Sequence, residues 1–224
     1  MTILVAAAVI SAPHGDPIPA LAAKISPAVV AVECDILIEV TDEEAGTTML
    51  LPAVAAGSGV IVTGDGLIVT NHHVVEDAIS IHVTLYNGTR AQARLLGSDP
   101  DADLAVLEIA GSGYPHLPAG GADSLALGQS VVSMGNGHGL GRNGDLSLTA
   151  GVVSGLRRPV GSGRVWYEMD APIYPGCSGG PVCDMSGRVV GINVAVSSFL
   201  KPFFIPLDRA NMEVLRRLSS GRIR

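Results

Sequence analysis

Two sets of about six short runs rich in Val, Ile and Leu, each run ended by Gly, Pro, Asn or Asp, constrain this 224-residue chain more than any other feature. Runs of this length with such punctuation are strands and turns, not helices. The first set is AVVAVECDILIEV (28–40), GVIVT (59–63), LIVT (67–70), ISIHVTLY (79–86), QARLLG (92–97) and LAVLEI (104–109). After the turn-rich GSGYPHLPAGGAD (111–123) come QSVVSMG, LSLTAGVVSGL, VWYEMD, PVCD, RVVGINVAV and PFFIP. Closing each set on itself removes its exposed strand edges, so the expected fold is all-β, with two six-stranded antiparallel β-barrels packed side by side. The expected divisions are an N-terminal segment (1–24), a first barrel (25–110), a connector (111–123), a second barrel (124–206) and a C-terminal helix with its tail (207–224).

Helix signals are scarce. In PLDRANMEVLRRL, Leu207, Met212, Leu215 and Leu218 fall at helical spacing, with Asp208 at the start and Arg216 and Arg217 near the end. This helix is expected to pack on the second barrel, and HHVVEDA (72–78) to form a single helical turn. The opening MTILVAAAVISA is apolar, without a basic flank and too short to span a bilayer. It reads as the remnant of a signal or anchor, as a boundary of the sequence, or as a strand laid on the body. Membrane association is expected only through a missing or trimmed N-terminal segment.

The composition bounds the function. A net charge of −7 and a pI near 5.2 leave no basic footprint for nucleic acid. The densest cationic group, Arg157, Arg158 and Arg164, is broken by Pro159 and glycines and reads as a solvated loop. Three cysteines, Cys34, Cys177 and Cys183, are neither a disulfide framework nor a paired zinc motif. His82, His116 and His138 have no convergent ligand spacing, so no metal and no cofactor is expected. GNGHGLG looks in part like a dinucleotide loop, but its pattern and context are wrong for one.

GCSGGP (176–181) sets a serine among glycines just before an apolar run. Such a turn can expose a hydroxyl and leave backbone N–H groups for a developing oxyanion. A serine hydroxyl needs a base, and the base needs a carboxylate to orient it. LIVTNHHVVEDA places His72 and His73 where a strand leaves its sheet, and DPDADLAVLEI places Asp103 at the start of a strand suited to burial. A carboxylate buried there needs a hydrogen-bonded partner, which an imidazole N–H supplies.

These blocks, GSGVIVTGDGLIVTNHHVV, DPDADLAVLEI, DAPIYPGCSGGPV and GRVVGINVAV, resemble the signature segments of HtrA/Deg-type trypsin-like serine proteases of the chymotrypsin fold. They stand in the chymotrypsin-like order His, Asp, Ser, and the resemblance covers most of residues 25–215. It selects His73 over His72 as the base, Asp103 as the orienting acid and Ser178 as the nucleophile. Gly176 and Ser178 would supply the oxyanion-hole amides. Cys177 stands one position out of register for a cysteine nucleophile. Pro175 restricts itself and Tyr174, so the turn is either pre-set for catalysis or held away from it.

The resemblance implies a serine endopeptidase acting on polypeptides through an acyl-enzyme, extracytoplasmic and able to form homo-oligomers. The position six residues before the nucleophile is Pro172, not the acid that a preference for Arg or Lys requires. Ile173, Tyr174, Asn193, Val194 and Ala195 would line the substrate pocket, favouring small or medium aliphatic side chains. With only a few residues after position 215, the family's peptide-sensing PDZ module is not expected here. The competing reading is a latent or inactive scaffold on the same fold.

Overall fold

A computed structural model describes residues 16–42, 46–136, 146–160, 164–194 and 201–223. Twelve strands among them form two closed antiparallel barrels. The first contains β1 (Val29–Asp42), β2 (Thr47–Ile61), β3 (Leu67–Thr70), β4 (Ser80–Thr84), β5 (Arg90–Asp99) and β6 (Leu104–Ile109), in the order β1-β2-β3-β6-β5-β4. The second contains β7 (Ser130–Gly135), β8 (Ser147–Val160), β9 (Arg164–Met169), β10 (Pro181–Asp184), β11 (Val189–Val194) and β12 (Phe203–Pro206), in the order β10-β11-β12-β9-β8-β7. The apolar runs fill these strands because both ends of each sheet are joined and the inward residues have no other place to hide from water. One apolar cluster runs from the first barrel across the junction to Met134, Trp166, Ile192 and Ile205, while Tyr167, Met169 and Phe204 belong to a second cluster inside the second barrel.

Three features depart from the sequence reading. β2 begins at Thr47, twelve residues before the predicted Gly59, because TTMLLPAVAAG extends the pairing with β1 from Val32↔Gly57 out to Asp42↔Thr47. Pairing partners, not alternation within the segment, make it a strand. Residues 17–25, for which no element was expected within the N-terminal segment, form a helix, α1 (Pro17–Ile25), capped by the Asp16 carboxylate, which accepts from the Ile18 N–H at 3.0 Å. Its signal was legible as an aspartate cap, a proline at the first helical position, and Leu21 and Ile25 one turn apart. The opening residues 1–12 lie outside the described ones.

The third departure is α3 (Arg209–Leu218), which packs on β5 and β6 of the first barrel, not on the second. Leu218 meets Gly97, and Arg217 pairs with Asp99. Beyond the helix, Arg222 donates to Glu108 at 2.5 Å and to Asp65 at 2.7 Å, so the tail is latched to the first barrel. The short α2 (His72–Val75) follows β3, as predicted.

The latch has a pH dependence of defined sign. The Thr63 hydroxyl and then Arg222 hold the Asp65 carboxyl below its ordinary value, and Arg222 and then Arg94 do the same for Glu108. Stabilisation by depressed carboxylates is present above the ordinary carboxylate pKa of about 4 and is lost as pH falls through their lower folded values. Arg222→Ala is therefore expected to lower the melting temperature near neutrality and to narrow its gap from the unaltered protein below about pH 4. Thermal melts across that range check this; a gap independent of pH would remove the latch from the acid response.

Candidate active site

The two barrels meet where β3 gives way to α2 on one side and where the turn before β10 rises on the other. On the first side, Asn71 ends the extended chain and His73 sits in the first turn of α2. Asp103 precedes β6 in a left-handed conformation, φ +54°, which aspartate tolerates better than most residues. The side-chain amide of Asn71 donates to the Asp103 carbonyl at 3.1 Å and helps hold that unusual backbone.

The Asp103 carboxylate brackets His73. Oδ2 lies 2.9 Å and Oδ1 3.0 Å from Nδ1, and Oδ1 also accepts the His73 backbone N–H at 3.1 Å. The carboxylate is 5% exposed and the imidazole 39% exposed, so the acid is buried while the ring reaches solvent. The neighbouring His72 turns instead towards Glu76, 3.7 Å away, which leaves His73 as the histidine facing Asp103. From the second barrel, Arg164 reaches over to donate to the carbonyls of Pro100 and Asp101, tying down the loop that carries Asp103. The sequence reading of Arg164 as a solvated loop residue missed this link, which joins residues more than sixty positions apart.

Ser178 lies on the facing side. Its carbonyl accepts from the Ser58 N–H at 2.7 Å, and a β-carbon built on Gly57 would be 2.7 Å from Val74, next to His73, and 3.2 Å from the Ser178 carbonyl. The Ser178 turn and the histidine-bearing helix thus press on the same point of β2. Tyr174-Pro175-Gly176-Cys177 forms a type II turn: the Cys177 N–H donates to the Tyr174 carbonyl at 3.0 Å, and Gly176 has φ +90°. Proline at the second position and glycine at the third are what this turn requires, so the unusual Pro175 sets the turn's geometry.

Gly179, at φ +84°, fits where a β-carbon would lie 2.2 Å from both the Ser58 carbonyl and Thr70 Oγ1. The N–H groups of Cys177, Gly179 and Gly180 are consumed by Tyr174, Asn193 and Cys177 carbonyls respectively. Cys177 is buried, and burial pushes its thiol pKa up, which disfavours the thiolate that a cysteine nucleophile needs. Cys34 and Cys183 are likewise pushed up by burial, to about 11 and about 12, and all three thiols are free.

The residues read as substrate wall are divided by the fold. Ile173 is half-buried against the second barrel's core, Tyr174 is exposed, and Val194 is buried on β11. Asn193 is wholly buried, its side chain accepting from the Ser133 hydroxyl and donating to the Met134 carbonyl, while its main chain bonds Gly179 and Gly180 beside Ser178. Ala195 and His138 lie outside the described residues. Among the described residues, no group of His, Cys, Asp and Glu is placed to hold a metal ion.

A family model described as a trypsin-like peptidase domain matches residues 57–192, a span that takes in His73, Asp103 and Ser178. The chain belongs to the trypsin-like peptidase family. Within that family it is of the HtrA/Deg type. It is 42% identical over 145 residues to the "Probable periplasmic serine endoprotease DegP-like" of Chlamydia trachomatis, covering 63% of this chain and 28% of that protein. It is 39% identical over 176 residues to the protein of the same name from Pseudomonas fluorescens, covering 75% of this chain and 36% of that one. The chain thus spans about a third of the length of these relatives.

Among solved structures, this trypsin-like domain superposes on the HtrA-type protease AlgW with a decapeptide at a TM-score of 0.75 and 28% identity, covering 90% of this chain and 67% of that one. It superposes on AlgW with a tripeptide at 0.74 and 30% identity, covering 90% and 63%. The two-barrel architecture is that of the chymotrypsin-like fold.

Proposed function

We propose that this domain is a serine endopeptidase in which His73, Asp103 and Ser178 form the catalytic triad. The observation that supports this most is the double acceptance by Asp103 of the His73 ring and backbone nitrogens, beside a pinned serine turn. With its Nδ1–H held by the carboxylate, the imidazole presents Nε2 as the base. His73 takes the Ser178 proton, Oγ attacks the peptide carbonyl, and the N–H groups of Gly176 and Ser178 receive the oxyanion. His73 then returns the proton to the leaving amine, and water hydrolyses the acyl-enzyme by the same steps in reverse. Asp103 supports the imidazolium throughout.

Polypeptides are the substrate class, in keeping with the peptide-bound HtrA-type structures. Pro172 in place of an acid, with Ile173 and Val194 beside the turn, favours small or medium aliphatic residues before the scissile bond. The periplasmic naming of the relatives supports an extracytoplasmic location. A fluorophosphonate probe tests the assignment: the adduct, located by peptide mass spectrometry, is expected on Ser178. Absence of labelling in the folded protein would favour the latent scaffold, and an adduct elsewhere would overturn the nucleophile.

A further inference from the structure

We infer that Ser58 is a positioning residue for the oxyanion turn, its hydroxyl fixing the Gly176–Cys177 peptide relative to the barrel that carries His73. This rests on Ser178 being the nucleophile. Ser58 stands on β2 within Gly-Ser-Gly and is fully buried. Every polar atom it has is engaged, and three of its four bonds cross the barrel junction. Its N–H donates to the Ser178 carbonyl, its carbonyl accepts from Thr70 Oγ1, its Oγ donates to the Gly176 carbonyl and its Oγ accepts from the Asn136 N–H, each at 2.7 Å.

The direction of the last two bonds is fixed by chemistry. The Asn136 amide can only donate, so Ser58 Oγ accepts there and sends its single proton to the Gly176 carbonyl. The result is a polarised chain from the residue after β7, through a first-barrel hydroxyl, to the oxyanion turn. The Gly176–Cys177 peptide is then held at both ends, its carbonyl by Ser58 and its N–H by Tyr174. Two positions on, Ser58 also holds the Ser178 carbonyl, so one residue sets the height of both stretches that flank the oxyanion donors.

The packing leaves no slack for another arrangement. A β-carbon on Gly135 would lie 2.8 Å from Ser58 Oγ and 2.9 Å from Cys177 Cα, and one on Gly180 would lie 2.2 Å from the Met134 carbonyl. Removing the hydroxyl strands a half-buried carbonyl and a buried N–H together. The turn relaxes to satisfy them, and the Gly176 and Ser178 amides leave their places relative to His73. Displacements of about 1 Å at such donors cost on the order of 100-fold in rate.

Ser58→Ala in the whole chain tests this. The fluorophosphonate labelling rate and kcat on an aliphatic peptide substrate are expected to fall about 10- to 100-fold, with KM within about twofold. Deuterium uptake is expected to rise in the peptide spanning 174–180 and not across the barrels. Labelling unchanged within about twofold, or uptake raised throughout both barrels, would overturn the assignment. If the unaltered protein fails to label, the peptidase reading falls, while the local uptake contrast still decides whether Ser58 holds the turn.

Discussion

Ser178→Ala is expected to lower kcat by roughly 10⁶-fold while leaving the fold intact. The loss is large because the hydroxyl is the only group that can form the acyl-enzyme from this turn; Cys177 is buried with its thiol pKa raised and stands one position out of register. The residual rate would come from the oxyanion amides and from substrate positioning alone. Stability should change little. Ser178 is held through its carbonyl by the Ser58 N–H, a main-chain bond that the alanine keeps. The melting temperature is expected to stay within about 4 °C. Peptide hydrolysis with a matched melt decides the matter, and turnover above about 1% of the unaltered rate would remove Ser178 from the chemistry.

Asp103→Asn is expected to lower kcat about 10⁴-fold with little change in KM. The argument comes from the bracket around His73. Oδ1 accepts the His73 backbone N–H, so the asparagine oxygen stays at that position to keep a buried donor satisfied. The new NH2 group then faces Nδ1, where Oδ2 had stood at 2.9 Å. That NH2 group can only donate, which outweighs the oxygen 3.0 Å from Nδ1, already shared with the backbone N–H, and drives the imidazole proton to Nε2, the atom that must accept the serine proton. The base is present and correctly placed, but in the wrong tautomer. Nitrogen NMR of the imidazole, alongside kcat and KM, checks this: a protonated Nδ1 in the variant would contradict it.

The order His73, Asp103, Ser178 and the two sets of strands were legible because each depends on local pattern. Val- and Ile-rich runs ended by glycine and aspartate become strands wherever they find partners, and the choice of His73 over His72 followed from a motif. What escaped was non-local. The first twelve residues of β2 have no strand pattern of their own and exist because β1 lies beside them. α3 crosses to the first barrel because Leu218, Arg217 and Arg222 find Gly97, Asp99 and Glu108 there, contacts that no helical periodicity can name. α1 is legible in its Asp-Pro start and in Leu21 and Ile25 one turn apart, a signal that the reading of the N-terminal segment left out.

The sequence by itself determined the proposed catalytic groups, their chain order, and a Pro-Gly pair suited to a type II turn. Tertiary structure alone decided how those groups stand to one another. Asp103 reaches His73 from thirty residues away, Arg164 steadies the Asp103 loop from the other barrel, and Ser58 fixes Gly176 across 118 positions. The physical reason is that a buried carboxylate, carbonyl or N–H takes whichever partner the packed barrels bring within about 3 Å, and sequence spacing does not contain that distance.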